Sequence, residues 1–457
     1  MSKFVLSALL SLAALMLPAA AQAGEKSRVL VLTDIGNEPD DSESLVRFLV
    51  YANEFDVEGL VATTSRHQRT TARRELIEER VRAYGQVLPN LRAHAPGYPD
   101  ENFLWGRIKS GRPEFGLAAV GEGKDTEGSR WIIETVDKPD ARPLWVLVWG
   151  GAVDLAQALH TVKATRTLAQ VEAFISKLRV YSISDQDDAG PWVRRAFPEI
   201  FWIVSLHAQN HYERSTWSGI SGEAWYRFEG PESHLISNAW LKDNVRKGPL
   251  GDLYPEWKYI MEGDTPSFLY LIPNGLGVPE RPDYGSWGGR YGRLSPQDNI
   301  WTDTSDMVED SKGQVRETNQ ATIWRWREAY QHDFAARMQW TLTPKRADAN
   351  HNPLLVLNGR PGRDLVRIAA KPGAAIVLDA AGSRDPDGHA IRYRWFQYRE
   401  AGALNRNAEG KFSSTTDEKI LFTAPPRDGE HHVILQARDD GPLGLYSYRR
   451  ALITVAQ

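Results

Sequence analysis

The segment Arg28–Ser44, RVLVLTDIGNEPDDSES, sets the strictest limit on the fold. Val29 to Leu32 form a short, continuous, partly β-branched apolar run, the pattern of a strand buried on both faces of a parallel sheet. The run stops at Thr33-Asp34, and Ile35-Gly36-Asn37-Glu38-Pro39 leads to the pair Asp40-Asp41. In open α/β sheets, loops at the carboxyl ends of parallel strands are where ligands bind. Three aspartates on one such loop repel one another unless a positive charge sits among them. A hard divalent cation with oxygen ligands answers that need, and Ca²⁺ suits several carboxylates. As a purely structural loop, the segment would use Asp41 or Ser42 to cap the next helix. That accounts for one carboxylate and not for three.

The alternation of strand and helix continues to about Asp264. Expected strands are 29–32, 57–63, 143–148, 178–183 and 200–205. Expected helices are 42–54, 71–84, one starting over 154–160, and 190–197. This predicts a mostly parallel sheet flanked by helices on both faces. Residues 277–310, rich in Gly, Pro, Asp and Trp, read as a long ordered loop, and loops of that length usually serve as lids or binding loops. Gln320–Thr341 reads as one long helix, ending near Pro344. After a linker at 345–352, short strands separated by turn signals run from 353 to 457, which predicts an all-β, immunoglobulin-like sandwich fused to an α/β domain spanning 24–344.

Residues 1–23 have the form of a signal peptide, with Lys3, an apolar core from Phe4 to Leu17, and Ala21-Gln22-Ala23 as the cleavage site. The core is too short for a membrane span, and no later segment approaches the ~20 apolar residues one requires. The expectation is an exported protein, periplasmic or secreted. The chain has no cysteine, so its stability rests on its core or on metal. A net charge of −4 gives no footprint for a nucleic-acid polymer. Sixteen tryptophans is a high count. Trp192, Trp217, Trp287 and Trp301 stand near Gly, Asp, Asn or Arg rather than in aliphatic runs, so some should line clefts, where aromatic faces suit a carbohydrate. The others fill the core.

Polar clusters follow the predicted strands: Asp34/Asp40/Asp41, Thr63-Thr64-Ser65, Gly150-Gly151-Ala152-Val153-Asp154, Asp185-Gln186-Asp187-Asp188 and Glu262-Gly263-Asp264. Parallel topology gathers them at one edge. With the phrases TDIGNEPDD, EGLVATTS, DQDDAGPWVRRAFP, GISGE, GDTPSFLYLIPNGL, YGSWGGRY and NQATIWRWRE, the chain resembles the inosine-uridine nucleoside hydrolase superfamily over about 28–280. Over its whole mature length it is similar to exported bacterial nucleoside-hydrolase-like proteins, some labelled cellulose-binding. The resemblance implies a hydrolase of glycosyl bonds, either N-glycosidic in a nucleoside or in a related ribose-like or furanose glycoside. It implies Ca²⁺ held by Asp34, Asp41, the Val153 carbonyl and Asp264, Asp34 as the base on water, and Asp40 facing sugar hydroxyls. It also implies a homo-oligomer, whose interface the extra domain could block. The alternative is a carbohydrate-binding protein, for cellulose, that keeps the fold without the chemistry.

The chain departs from that pattern at several positions, which keep a metal site but alter the nucleobase pocket. Leu32 stands where the superfamily has a further aspartate, and the loop to Asp40 has two extra residues. His67-Gln68 replace a ribose-contacting glycine-asparagine, and Gly263 replaces a histidine. Remaining candidate acids are Glu262, Asp187, Glu38, His67 and His207; a carboxyl can serve as acid when burial raises its pKa. Asn37, Glu38, His67, Gln68, Asp185, Asp187, Trp287 and Arg290 are candidate substrate contacts; as structural residues, Asp185, Asp187 and Asp188 would cap the helix at Gly190, and Trp287 and Arg290 would lock their loop. In the C-terminal part, the stretch from Leu378 to Gly388 resembles the polycystic-kidney-disease repeat. Its Asp385-Pro386-Asp387-Gly388 reads as a turn with local hydrogen bonds, or alternatively as a second Ca²⁺ or carbohydrate site.

Overall fold

The computed structural model describes residues 25–207, 211–221, 230–402 and 408–457. The expected signal peptide lies outside the described residues. Eight strands form one sheet: β1 (Ser27–Thr33), β2 (Phe55–Ala62), β3 (Ile108–Ser110), β4 (Leu144–Val148), β5 (Leu178–Ser184), β6 (Phe201–Ser205), β7 (Tyr291–Arg293) and β8 (Ile300–Asp303). Their order is β3-β2-β1-β4-β5-β6-β8-β7. All pairs are parallel except β7 with β8. The winding reverses between β1 and β4, and the crevice outside their carboxyl ends is the switch point where such sheets receive ligands.

The continuous apolar run of β1 is explained by cover on both faces. Val29 and Val31 share a core with α1 (Pro39–Val50), α2 (Arg74–His94) and α3 (Glu101–Trp105). Leu30 and Leu32 point the other way, into a core with α4 (Glu127–Asp137), α5 (Val153–Thr165), α6 (Leu168–Ser176) and α7 (Ala189–Ala196). The first core also takes in α8 (Asn238–Asn244), α9 (Gly248–Gly251), α10 (Thr265–Leu269), α11 (Ala321–Trp324) and α12 (Arg327–Trp340).

Two expectations change. The segment 277–310 is not all loop: it contributes β7 and β8 to the main sheet. These strands are three and four residues long, too short to show periodicity. The single helix expected over 320–341 is two, broken at Arg325 and Trp326. There Arg325 pairs with Asp306 at 2.6 Å, and Trp326 packs on Phe396, Tyr398 and Tyr448.

Two short hairpins follow, β9 (Asp306–Glu309) with β10 (Val315–Thr318), and β11 (Val356–Leu357) with β12 (Arg360–Pro361). The remaining strands are β13 (Val366–Ala370), β14 (Ala375–Asp379), β15 (Ile391–Gln397), β16 (Lys411–Phe412), β17 (Lys419–Thr423), β18 (Gly429–Asp439) and β19 (Tyr446–Val455). They make a four-stranded sheet, β13-β19-β18-β15, and a three-stranded one, β14-β17-β16. Leu378, Trp395, Phe422, Leu435 and Ile453 fill the core they share. This region is welded to the α/β part. Arg450, buried, donates to the carbonyls of Leu276 (2.8 Å) and Tyr284 (2.9 Å). Within the segment 345–352, Asn350 and His351 are buried, and the Trp340 indole donates to the Asn350 carbonyl at 3.0 Å.

Candidate metal centre

β1 ends at Thr33, and the chain turns out of the sheet through Asp34. Gly36 has φ +113°, a conformation only glycine holds without strain, and a Cβ there would meet the Leu76 side chain at 2.8 Å. Pro39 then opens α1, with Asp40 and Asp41 in its first turn. Proline suits that position, and the helix N-terminus favours negative charge beside it.

At the other side of the switch point, β4 ends in Trp149-Gly150-Gly151. A Cβ on Gly150 would lie 2.5 Å from Asp34 Oδ1, so glycine lets the two strand ends close together. The late aspartate, Asp264, arrives at the amino end of α10. Asp40, Asp41 and Asp264 each present an oxygen within 4.8 Å of the others. The cavity they form with Asp34, Asn37, Glu38 and His67 has about 30 Å³ of free volume. That exceeds the ~10–15 Å³ on this measure that one water needs, so an ion or water fits there.

Asp34, Asp41 and Asp264 are buried, and Asp40 is partly exposed at the rim. Desolvation raises all four, and mutual repulsion adds to it at Asp40, Asp41 and Asp264. Asp40 is pushed up to about 8, by desolvation first and then by Glu38 and Asp34. For Asp264 the strongest charged neighbours are Asp41, Asp40, Asp34 and Glu38, all negative. Its Oδ2 is buried without a hydrogen-bond partner among the described residues. Hydroxyls offset part of this cost: Ser65 donates to Asp34 Oδ2 and Thr33 to Asp41 Oδ1. An orphaned carboxylate oxygen among acidic oxygens fits a hard divalent cation.

The other residues proposed from sequence fall in different places. Gln68 stands behind the cavity, donating to the carbonyls of Asp34 (3.0 Å) and Ile35 (3.3 Å) and so bracing the loop. Val153 is buried at the start of α5 and is not among the side chains lining the cavity. Glu262 faces away from it. Its fully buried carboxylate sits 2.7 Å from Arg47 Nε and accepts from the Tyr254 hydroxyl at 2.7 Å. Its backbone is left-handed, φ 50°, and its N–H donates to Glu43 at 2.8 Å. This buried lock aims Asp264, two residues on, which corrects the reading of Glu262 as a cavity acid.

Asp185 forms a paired bridge with Arg194, at 2.7 and 2.8 Å. Asp187 caps α7, accepting from the N–H groups of Ala189 (3.0 Å) and Gly190 (3.3 Å), so the helix-capping alternative holds for it. His207 pairs with Asp303 at 3.1 Å. Trp287 and Arg290 lie at the junction with the C-terminal sheets. Trp287 is buried edge-on to Tyr448, and Arg290 donates to Asp306 at 2.7 Å, because their loop threads between the two cores.

Sequence reasoning missed most of the cavity's far wall: Ile183, Gln186, Tyr212 and Ile260. Trp217, one of the tryptophans set among polar residues and glycine, does line it, and stands edge-on to Tyr212 at 5.1 Å. A Cβ on Gly263 would meet Asp40 at 2.8 Å, Ile260 at 3.2 Å and Trp217 at 3.3 Å. The place of the superfamily's histidine is therefore occupied by this wall. Tyr212 sits in a short 3₁₀ turn, and nothing in its local sequence marks it as a site residue.

Residues 28–291 match a family model described as cellulose-binding Sde182, nucleoside hydrolase-like domain. Residues 375–455 match the C-terminal domain of cellulose-binding protein Sde0182. Among solved structures, a nucleoside hydrolase-related hypothetical protein from Saccharophagus degradans, associated with carbohydrate metabolism, is 34% identical. The alignment covers 94% of this chain and 100% of that one, with a TM-score of 0.80. The effector protein XOO4466 is far more distant, 9% identical over 70% of this chain and 95% of its own, with a TM-score of 0.33. No curated protein matches the chain.

Proposed function

Because the chain belongs to the Sde182 family of cellulose-binding proteins with a nucleoside hydrolase-like domain, we propose that it is an exported, Ca²⁺-dependent hydrolase of glycosyl bonds in a nucleoside or a related ribose-like or furanose glycoside. The observation that carries this reading is the convergence of Asp34, Asp40, Asp41 and Asp264 at the switch point, with an orphaned buried oxygen among them. Asp34, Asp41 and Asp264 would hold the cation, with the Val153 carbonyl as the further ligand the family pattern suggests. Bound there, such an ion would make a neighbouring water easier to deprotonate. Asp34 takes that water's proton as general base. Asp40, with Asn37 and Glu38, accepts hydrogen bonds from sugar hydroxyls at the rim. The carboxylates together offset positive charge developing on the anomeric carbon. Glu38 and His67, which line the wall beside Tyr212 and outside the aspartate cluster, are the candidate donors of a proton to the leaving group.

A second reading is carbohydrate binding without turnover. It is favoured by the wall at Gly263, where Asp40 and Trp217 leave no room for a side chain in the place of the superfamily's histidine. One experiment separates the two. Ca²⁺ binding to the mature protein is measured by calorimetry, and the loaded protein is screened against nucleosides and p-nitrophenyl glycosides, beside a pull-down on insoluble cellulose. Metal binding and turnover, both lost in Asp34→Ala, establish the hydrolase. Cellulose binding with no turnover of any glycoside establishes the binding protein.

A further inference from the structure

We propose a second, chemically different metal site in the C-terminal region, at Asp385, Asp387 and His389, selective for a borderline divalent cation of the Zn²⁺ class. One ligand atom from each of the three lies within 4.8 Å of the other two. A cluster of this kind is common at turns and needs more support, which comes from Asp385. Its side chain is fully buried. Its Oδ1 accepts the N–H groups of Asp387 (2.9 Å) and His389 (3.0 Å). Its Oδ2 is buried with no hydrogen-bond partner among the described residues. A buried carboxylate oxygen without a donor is costly. Asp439, itself raised first by burial, also feels the negative charge of Asp385. His389 Nδ1, 3.4 Å from Asp385 Oδ1, is likewise buried and without a hydrogen bond among the described residues.

The donor set decides the metal. The ligands stand at alternate positions of Asp385-Pro386-Asp387-Gly388-His389, the spacing with which acidic loops wrap Ca²⁺. The third ligand here is an imidazole. Ca²⁺ prefers oxygen throughout, whereas Zn²⁺ takes a mixture of His nitrogen and carboxylate oxygen. With no cysteine in the chain, a His/Asp set is its route to such a metal.

The surroundings also suit a metal ligand. Asp387 is oriented by His351, whose Nδ1 lies 3.0 Å from both carboxylate oxygens and whose backbone N–H donates to Oδ2 at 2.8 Å. Carboxylate ligands are usually held by such outer partners. His351 Nε2 in turn lies 3.0 Å from His94 Nδ1, at the end of α2. A cation at Asp385, Asp387 and His389 would therefore fasten the C-terminal sheets to the α/β region through Asp387, His351 and His94.

The test uses the full mature protein, stripped with chelator and titrated with ZnCl₂ and separately with CaCl₂. Wild type, Asp385→Asn, His389→Ala and Asp264→Asn are compared. Asp385→Asn keeps the Oδ1 acceptor that shapes the turn, and His389 is 30% exposed, so both variants should fold. The expected result is one equivalent of Zn²⁺ bound by wild type and weakened at least tenfold in both C-terminal variants, with Ca²⁺ binding unchanged in them. Asp264→Asn should retain the Zn²⁺ equivalent. Absence of stoichiometric Zn²⁺ binding to wild type overturns the proposal. So does Zn²⁺ binding that survives both C-terminal variants, or that disappears only in Asp264→Asn.

Discussion

Two clusters of buried carboxylates in this molecule have opposite electrostatics. At the junction between the α/β region and the C-terminal sheets, Asp306 is fully buried and saturated with partners. Arg290 and Arg325 pair with it at 2.7 and 2.6 Å, and the Tyr398 hydroxyl donates at 2.7 Å. Burial alone would raise its pKa, but the two guanidinium charges overcome that and hold it below the ordinary aspartate value. At the switch point, no Arg or Lys among the described residues pairs with Asp34, Asp40, Asp41 or Asp264, and all four are raised. One cluster has been built to be closed, and the other retains a charge imbalance that a ligand must resolve. Perturbed groups with that imbalance in a cavity mark functional sites more often than satisfied ion pairs do.

The sharpest way to break this contrast is at the junction. Asp306→Ala removes the nearest counter-ion of buried Arg290 and partly buried Arg325, leaving Glu400, 3.6 Å from Arg325, as the remaining carboxylate. Removing one partner of a buried pair costs about 3–5 kcal/mol. Denaturant unfolding should show a loss of that size. A loss below ~1 kcal/mol, the scale of an exposed pair, would mean that the junction is not the saturated cluster described.

The cavity should respond in the opposite direction to added metal. Ca²⁺ that binds only the folded state stabilises it by about 2.7 kcal/mol at a hundredfold excess over Kd. The thermal midpoint should rise with Ca²⁺, fall back with chelator, and lose this response in Asp264→Asn. Asp306→Ala should lower the midpoint while keeping the response. If both variants lose it, the junction and the cavity act as one unit and the comparison fails.

Without metal, the cavity carboxylates should be a liability with a definite pH signature. Asp40 has a folded pKa of about 8, against ~3.9 in an unfolded chain. Between those values the folded state holds the proton that the unfolded state has lost. Stability contributed by this group is therefore full below pH ~4 and is lost as pH rises through 8. In chelator, unfolding free energy should fall across that window, and Asp40→Asn should flatten the slope. At pH 8 the variant should be more stable than wild type by ~0.5–2 kcal/mol, as expected where function is held at the expense of stability. A steeper slope in the variant would contradict the assignment.

How far these clusters could be read from sequence follows from how local each signal is. Asp34, Asp40 and Asp41 sit within eight residues, behind an apolar run with the pattern of a buried strand, so the strand and the cluster of carboxylates were both legible. The Asp306 cluster joins residues 290, 306, 325 and 398, and nothing near any of them hints at the others. Trp287 and Arg290 looked like lid residues because glycines surround them. Those glycines serve close packing: a Cβ on Gly288 would meet the Pro266 carbonyl at 2.1 Å. Glu262 reads as a candidate acid whose pKa burial would raise, and it is buried, but its left-handed backbone turns it inward to Arg47. Tyr212 reaches the cavity from an irregular segment with no period to follow. Sequence spacing located groups that are close along the chain, and missed those that only the packing of two cores brings together.

The smallest expected effect tests the boundary between the two classes. Asp187 belongs to neither cleanly. Its Oδ1 accepts two helix N–H groups, while its Oδ2 is buried without a hydrogen-bond partner among the described residues. Burial raises its pKa to about 7, against the lowering effect of those N–H groups. Asp187→Asn keeps an oxygen for the cap and removes the charge. If Asp187 is a helix cap, stability at pH 7 should move by less than ~1 kcal/mol, within the range of cap substitutions, and Ca²⁺ affinity should not change. The wild type alone should lose a little stability as pH rises through 7, because its raised carboxyl must then ionise while buried. A tenfold loss of Ca²⁺ affinity or of turnover in Asp187→Asn would instead place this carboxylate with the cavity, and the line between structural and functional acids would have to be redrawn one strand further along the sheet.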